Sequence, residues 1–174
     1  MLLLTTEQNF FISEGLRLFA TLFILFFLHI PLFYKVILVM ITDSLDCGIS
    51  KIFFNDWIDP NTNLYQISDK ITDLVTYFIL LGYTIHSKYL ERKKDVFLSF
   101  LLLYRLIGEI CFFSTQKRLF LVLFPNFFLE TLFVFVGMKH FDIAETYLPI
   151  FACFIILWKM LQEYYLHIYK VSSH

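Results

Sequence analysis

Residues 42–73 read TDSLDCGISKIFFNDWIDPNTNLYQISDKITD, and the rest of the chain is arranged around this stretch. Two long apolar runs end here in four carboxylates, Asp43, Asp46, Asp69 and Asp73. The first pair is spaced i, i+3 and the second i, i+4, so each pair shares one face of a helix. Carboxylates at the ends of apolar helices are costly without a cation, a water-filled cavity or a basic side chain. Two acidic pairs that close on each other make a hard-oxygen site suited to Mg²⁺, Mn²⁺ or Ca²⁺. Between them, FNDWIDPNTN is rich in Asn, Asp and Pro and reads as a surface loop, with Asn61, Thr62 or Asn63 capping the next helix.

Composition sets the class. Of 174 residues, 59% are hydrophobic and only 17% charged, and 23 are phenylalanine. A soluble domain of this length carries more charge and fewer apolar runs. The expectation is an all-α, polytopic membrane helix bundle with six transmembrane helices in a single domain over 1–174. The net charge of −1 supplies no basic field for nucleic acid. Cys47, Cys111 and Cys153 fit no zinc or disulfide spacing and read as buried free thiols. MLLLTTEQNFF lacks the basic start and the small-residue cleavage site of a cleavable signal, so the first apolar run would act as its own anchor.

The six spans cover about residues 9–29, 32–51, 64–85, 96–113, 119–136 and 146–168. Each suits a hydrocarbon core roughly 30 Å thick. Glu14 and Arg17 are placed to pair within the first span, and Arg105 and Glu109 within the fourth. Pro31 marks a helix start, and HSKYLERKKD and STQKR are connectors. Lysines and arginines divide evenly between the two ends, which leaves orientation unset.

The order of the acidic residues resembles the CDP-alcohol phosphatidyltransferase superfamily, whose signature is D-x2-D-G-x2-A-R followed by G-x3-D-x3-D. In TDSLDCGISK, Asp43 and Asp46 match the first two aspartates, with Gly48 one place late because Cys47 intervenes. Ser50 and Lys51 stand at the Ala and Arg positions once that shift is allowed. Arg17 and the following proline are similar to the family's opening helix. The second half aligns two ways. Spacing makes Asp69 and Asp73 the closing pair; local context makes ISDK the final segment, which puts Tyr65 at the third aspartate and Asp69 at the last.

The resemblance implies a transferase of phospholipid synthesis. It would move a phosphatidyl or phosphoalcohol group from a CDP-linked donor to an alcohol and release CMP. On the spacing alignment it implies Asp43, Asp46 and Asp69 as ligands of Mg²⁺ or Mn²⁺, and Asp73 as the base. Gly48 and Lys51 would lie at the substrate, with Lys51 toward a phosphate or the cytidine end. The implied partners are a CDP-linked lipid or alcohol and the membrane lipid itself, and a homodimer is compatible with the sequence. The alternative is a non-enzymatic multi-pass membrane protein, a decayed relative or an assembly factor, with no need of metal.

Overall fold

The computed structural model describes residues 6–44 and 62–165, and among these residues it contains helices and no strand. Contacts divide the chain into two compact units, residues 1–79 and 80–174.

In the first unit, α1 (Thr6–Phe26) and α2 (Leu32–Ser44) pack as an antiparallel neighbour pair through a short turn. Pro31 lies just before α2, and its carbonyl accepts the backbone N–H groups of Tyr34 and Lys35 at 3.1 and 3.3 Å. The buried Lys35 ammonium donates to the Leu25 carbonyl at 2.6 Å, close to the end of α1. Carbonyls of a last helical turn have no intrahelical partner, so a cation is favoured there. α3 (Asn63–His86) begins in this unit. The side chain of Thr62 accepts the Tyr65 N–H at 3.3 Å, so this threonine is its cap.

Two helices of this unit bury polar stripes and expose apolar side chains. Beside Phe10, Ile24 and Leu25, α1 buries Ser13, Glu14, Arg17 and Thr21 at helical spacing, while Phe19 and Phe26 are 66% and 58% exposed. α3 buries Asp69, Thr72, Asp73 and Thr76 and exposes Ile71, Val75 and Phe78. A soluble helix does the reverse. Apolar surface left outside on this scale is favourable against hydrocarbon and unfavourable in water.

The second unit holds the remainder of α3, then α4 (Arg92–Thr115), the short α5 (Leu119–Leu123), α6 (Phe128–His140), a single 3-10 turn (Glu145–Tyr147) and α7 (Leu148–Tyr164). α4 stops at Gln116, whose φ of 57° is left-handed and whose N–H donates to the Phe112 carbonyl at 2.7 Å. α7 repeats the inside-out pattern: Lys159 and Glu163 are buried, whereas Phe154, Leu157 and Leu161 are exposed.

The expected fifth span, 119–136, is two helices. Pro125 lacks the N–H that would reach back to the Leu121 carbonyl, and its ring crowds that carbonyl. The break is closed by polar groups. Arg105 Nη1 donates to the carbonyls of Leu121 at 3.3 Å and Phe124 at 2.8 Å, and its Nε pairs with Glu109 at 2.8 Å. The Asn126 side chain accepts the Phe128 N–H at 3.2 Å, and the Asn126 N–H donates to Glu163 at 3.4 Å. Gly108 lies against Phe124 so closely that a methyl group there would overlap the phenylalanine side chain.

Among the described residues three stretches are long and apolar enough to cross a membrane: Thr6–Phe26, Arg92–Thr115 and Leu119–His140, the last including the break. These are consistent with a membrane protein. α3 has the length, at 24 residues, but Asp69, Lys70 and Asp73 crowd its first half. The described parts of α2 and α7 are 13 and 17 residues, short of the ~20 needed to cross. The thiols are not uniformly buried: Cys111 is half-buried and Cys153 is exposed on α7, with Cys47 outside the described residues.

Candidate functional site

The site lies in the first unit and is centred on Arg17, which is 2% exposed. Sequence spacing places Glu14 and Arg17 one helical turn apart on α1, and Asp69 and Asp73 one turn apart on α3. Arg17 Nη1 donates to Asp69 Oδ1 at 3.1 Å, and Nη2 donates to Asp73 Oδ1. The same Nη2 is 3.9 Å from Asp43 Oδ1 on α2, and Nε is 3.7 Å from Glu14 Oε2. Three helices therefore direct carboxylates to one guanidinium. Its planar fork suits this role, because it offers several donors in fixed directions and stays charged.

Lys70 is the second cation. Its ammonium lies 2.6 Å from Asp69 Oδ2 and 3.2 Å from Asp73 Oδ2. Tyr77, one turn beyond Asp73, donates its hydroxyl hydrogen to Asp43 Oδ2 at 3.2 Å. Asp69 and Asp73 thus share two cations, whereas Asp43 has a phenol and a more distant guanidinium. Among the described residues, no hydrogen-bond donor reaches its buried Oδ1. Among the described residues four carboxylates face two cations, a formal surplus of two negative charges.

Of the residues singled out from the sequence, Asp43, Asp69 and Asp73 come together around Arg17. Asp46, Gly48 and Lys51 lie outside the described residues. Tyr65, which takes the third aspartate's place in the local-context alignment, is buried, with its ring centroid 5.3 Å from that of Phe10. Among the described residues, no three carboxylate, imidazole or thiol side chains are arranged around a single ion position. Arg17 lies between the carboxylates instead.

Sequence reasoning assigned the Glu14–Arg17 pair to itself and gave Lys70 and Tyr77 no role. Lys70 sits between two of the aspartates and Tyr77 continues their i, i+4 stripe, which was a usable signal. That Arg17 reaches α2 and α3 depends on helix pairing, and local spacing does not specify it. Comparison with protein-family models, with curated proteins and with solved structures finds no match to this chain, so the functional reading rests on this geometry and on the motif.

Proposed function

We propose that the chain is a six-span integral membrane transferase that moves a phosphatidyl or phosphoalcohol group from a CDP-linked donor to an alcohol. The observation that carries this reading is the convergence of Asp43, Asp69 and Asp73 from two helices, with Glu14, at a surplus of two negative charges. A buried surplus of that size calls for a cation or for protons. The donors are hard carboxylate oxygens, and among the described residues no hydrogen bond reaches Asp43 Oδ1, which suits Mg²⁺ or Mn²⁺. Asp43 and Asp69 would hold the ion together with Asp46. Once bound, it supplies charge neutralisation at phosphoryl oxygens.

The chain's own residues do the rest. Lys70 has a flexible stem and its side chain is 13% exposed, against 2% for Arg17, so it is the cation able to leave the aspartates for an incoming phosphate. Its departure would take one cation away from Asp69 Oδ2 and Asp73 Oδ2. Asp73, on the spacing alignment, then accepts the proton of the attacking hydroxyl. The new oxygen–phosphorus bond forms as the bond to the CMP oxygen breaks, and CMP leaves with that electron pair. Arg17 keeps the two α3 aspartates in register throughout. The inside-out helices leave a lipid substrate free to approach sideways between them.

One observation favours a second reading. Arg17 and Lys70 already satisfy Asp69 and Asp73, as they would in a non-enzymatic membrane protein stabilised by an ion-pair network. CMP release by purified protein from CDP-diacylglycerol or a CDP-alcohol, with and without Mg²⁺ or Mn²⁺, decides between them. The transferase releases CMP only with metal, and Asp73→Asn abolishes release, because an amide cannot take the proton. If Asp69→Asn is inactive and Asp73→Asn is nearly silent, the local-context alignment is correct. Absence of CMP with every CDP-linked donor selects the ion-pair network.

A further inference from the structure

A second feature lies wholly in the second unit and does not depend on the transfer reading. A crevice of about 230 Å³ runs between α4, α6 and α7, lined by Phe97, Phe135, Leu148, Ala152 and Ile156 with Thr131 as its polar side chain. Phe97 and Ile156 are 47% and 51% exposed, so the crevice opens outward between α4 and α7. Its lining extends along α7 from residue 148 to 156, about 12 Å at 1.5 Å per residue. That volume is below the range for a whole drug-sized ligand and suits one flexible chain.

One end of the crevice carries charge. Lys94 lies one turn before Phe97 on α4, and Glu145 lies three residues before Leu148. The two side chains form an exposed ion pair there. The Lys94 ammonium is 5.9 Å from the centroid of the Phe135 ring, which itself lines the crevice. Arg92 and Lys93 begin the same helix, and Lys139 ends α6 at that level. The hydrogen bond from Lys94 lowers the Glu145 carboxyl below its ordinary range, so Glu145 is ionised at neutral pH.

We propose that this crevice binds one acyl chain of an anionic phospholipid, with the lipid phosphate at Lys94. An apolar slot topped by a lysine, and set beside other basic residues at a helix end, complements both parts of such a lipid. Glu145 competes with the phosphate for the same ammonium. Removing the lysine therefore weakens the lipid, and removing the glutamate strengthens it. A salt bridge that only held α4 to the 3-10 turn before α7 would respond to both changes in one direction.

The test is native mass spectrometry of the full chain in detergent, titrated with phosphatidylglycerol and with phosphatidylcholine of the same acyl chains. Wild type should retain one phosphatidylglycerol in preference to phosphatidylcholine. Lys94→Gln should lower phosphatidylglycerol affinity about fivefold, the effect of one basic residue near a membrane surface, and leave phosphatidylcholine unchanged. Glu145→Gln should raise phosphatidylglycerol affinity. Ala152→Phe should fill the slot and abolish retention of the bound lipid. Equal retention of the two lipids overturns the proposal, as do shifts of the same sign for Lys94→Gln and Glu145→Gln. Full retention by Ala152→Phe also overturns it, and so does a lipid-free dimer, in which a second copy would cover the slot. If Ala152→Phe fails to fold, the two exposed mouth positions decide the matter alone.

Discussion

Arg17 in the first unit and Arg105 in the second are each 2% exposed, and each sits among carboxylates. Their surroundings differ in kind. Arg105 has a broken helix to hold: beside Glu109 and Glu163, it donates to the carbonyl of Leu121, whose helical donor Pro125 removes, and to that of Phe124, whose helical donor Phe128 turns to Asn126. Lys159 pairs with Glu130 at 2.6 Å a little further along α7. Here the charges answer a backbone problem. The partners of Arg17 among the described residues are side chains, with no backbone carbonyl among its hydrogen bonds. Among the described residues its partners are carboxylates that outnumber the cations four to two. A buried ion pair is weak evidence of stability design, because apolar residues of equal volume often serve as well. The proposed function takes this surplus as the place for a cation.

The largest expected effect comes from deleting the first arginine. Arg17→Leu leaves Glu14, Asp69 and Asp73 without their central cation, and the expected loss is about 3–5 kcal/mol, the cost of an uncompensated buried charge. Thermal unfolding in detergent reads it. The comparison breaks if Arg17→Leu is neutral while Arg105→Leu is severe. Gly108→Ala comes next, because the added methyl overlaps Phe124 beside the break. Overpacking of this kind costs about 1–3 kcal/mol, and it should lower the melting temperature without touching CMP release. The smallest effect belongs to Pro125→Ala. Arg105, Asn126 and Glu163 already hold the broken turn, so restoring an N–H should change stability by no more than about 1 kcal/mol, mostly through the unfolded chain. A larger gain would mean that the proline alone imposes the break.

The helical class was legible because Phe-rich runs of membrane length allow little else. The Arg105–Glu109 pair was legible from i, i+4 spacing, and Pro31 as a helix start from its missing N–H. The break near Pro125 was readable in principle, since a proline and an asparagine stand together mid-run, but its repair uses Arg105 from another helix. Asp43, Asp69 and Asp73 were legible as neighbours because they are charged residues in apolar company; Asp46 lies outside the described residues. Their focus on Arg17 was not. Glu14 lies one turn away and explains the arginine locally, whereas its contacts to Asp69 and Asp73 span more than fifty residues. Sequence periodicity says which face a residue occupies and leaves open which helix meets that face.

The central claim is that the surplus charge around Arg17 exists to take a divalent cation, and Mn²⁺ binding followed by electron paramagnetic resonance on the purified chain tests it most directly. The account predicts one saturable Mn²⁺ per chain, displaced by Mg²⁺, lost in Asp43→Asn and in Asp69→Asn, and kept in Glu109→Gln. Absence of saturable Mn²⁺ binding, or binding that survives Asp43→Asn unchanged, would contradict it.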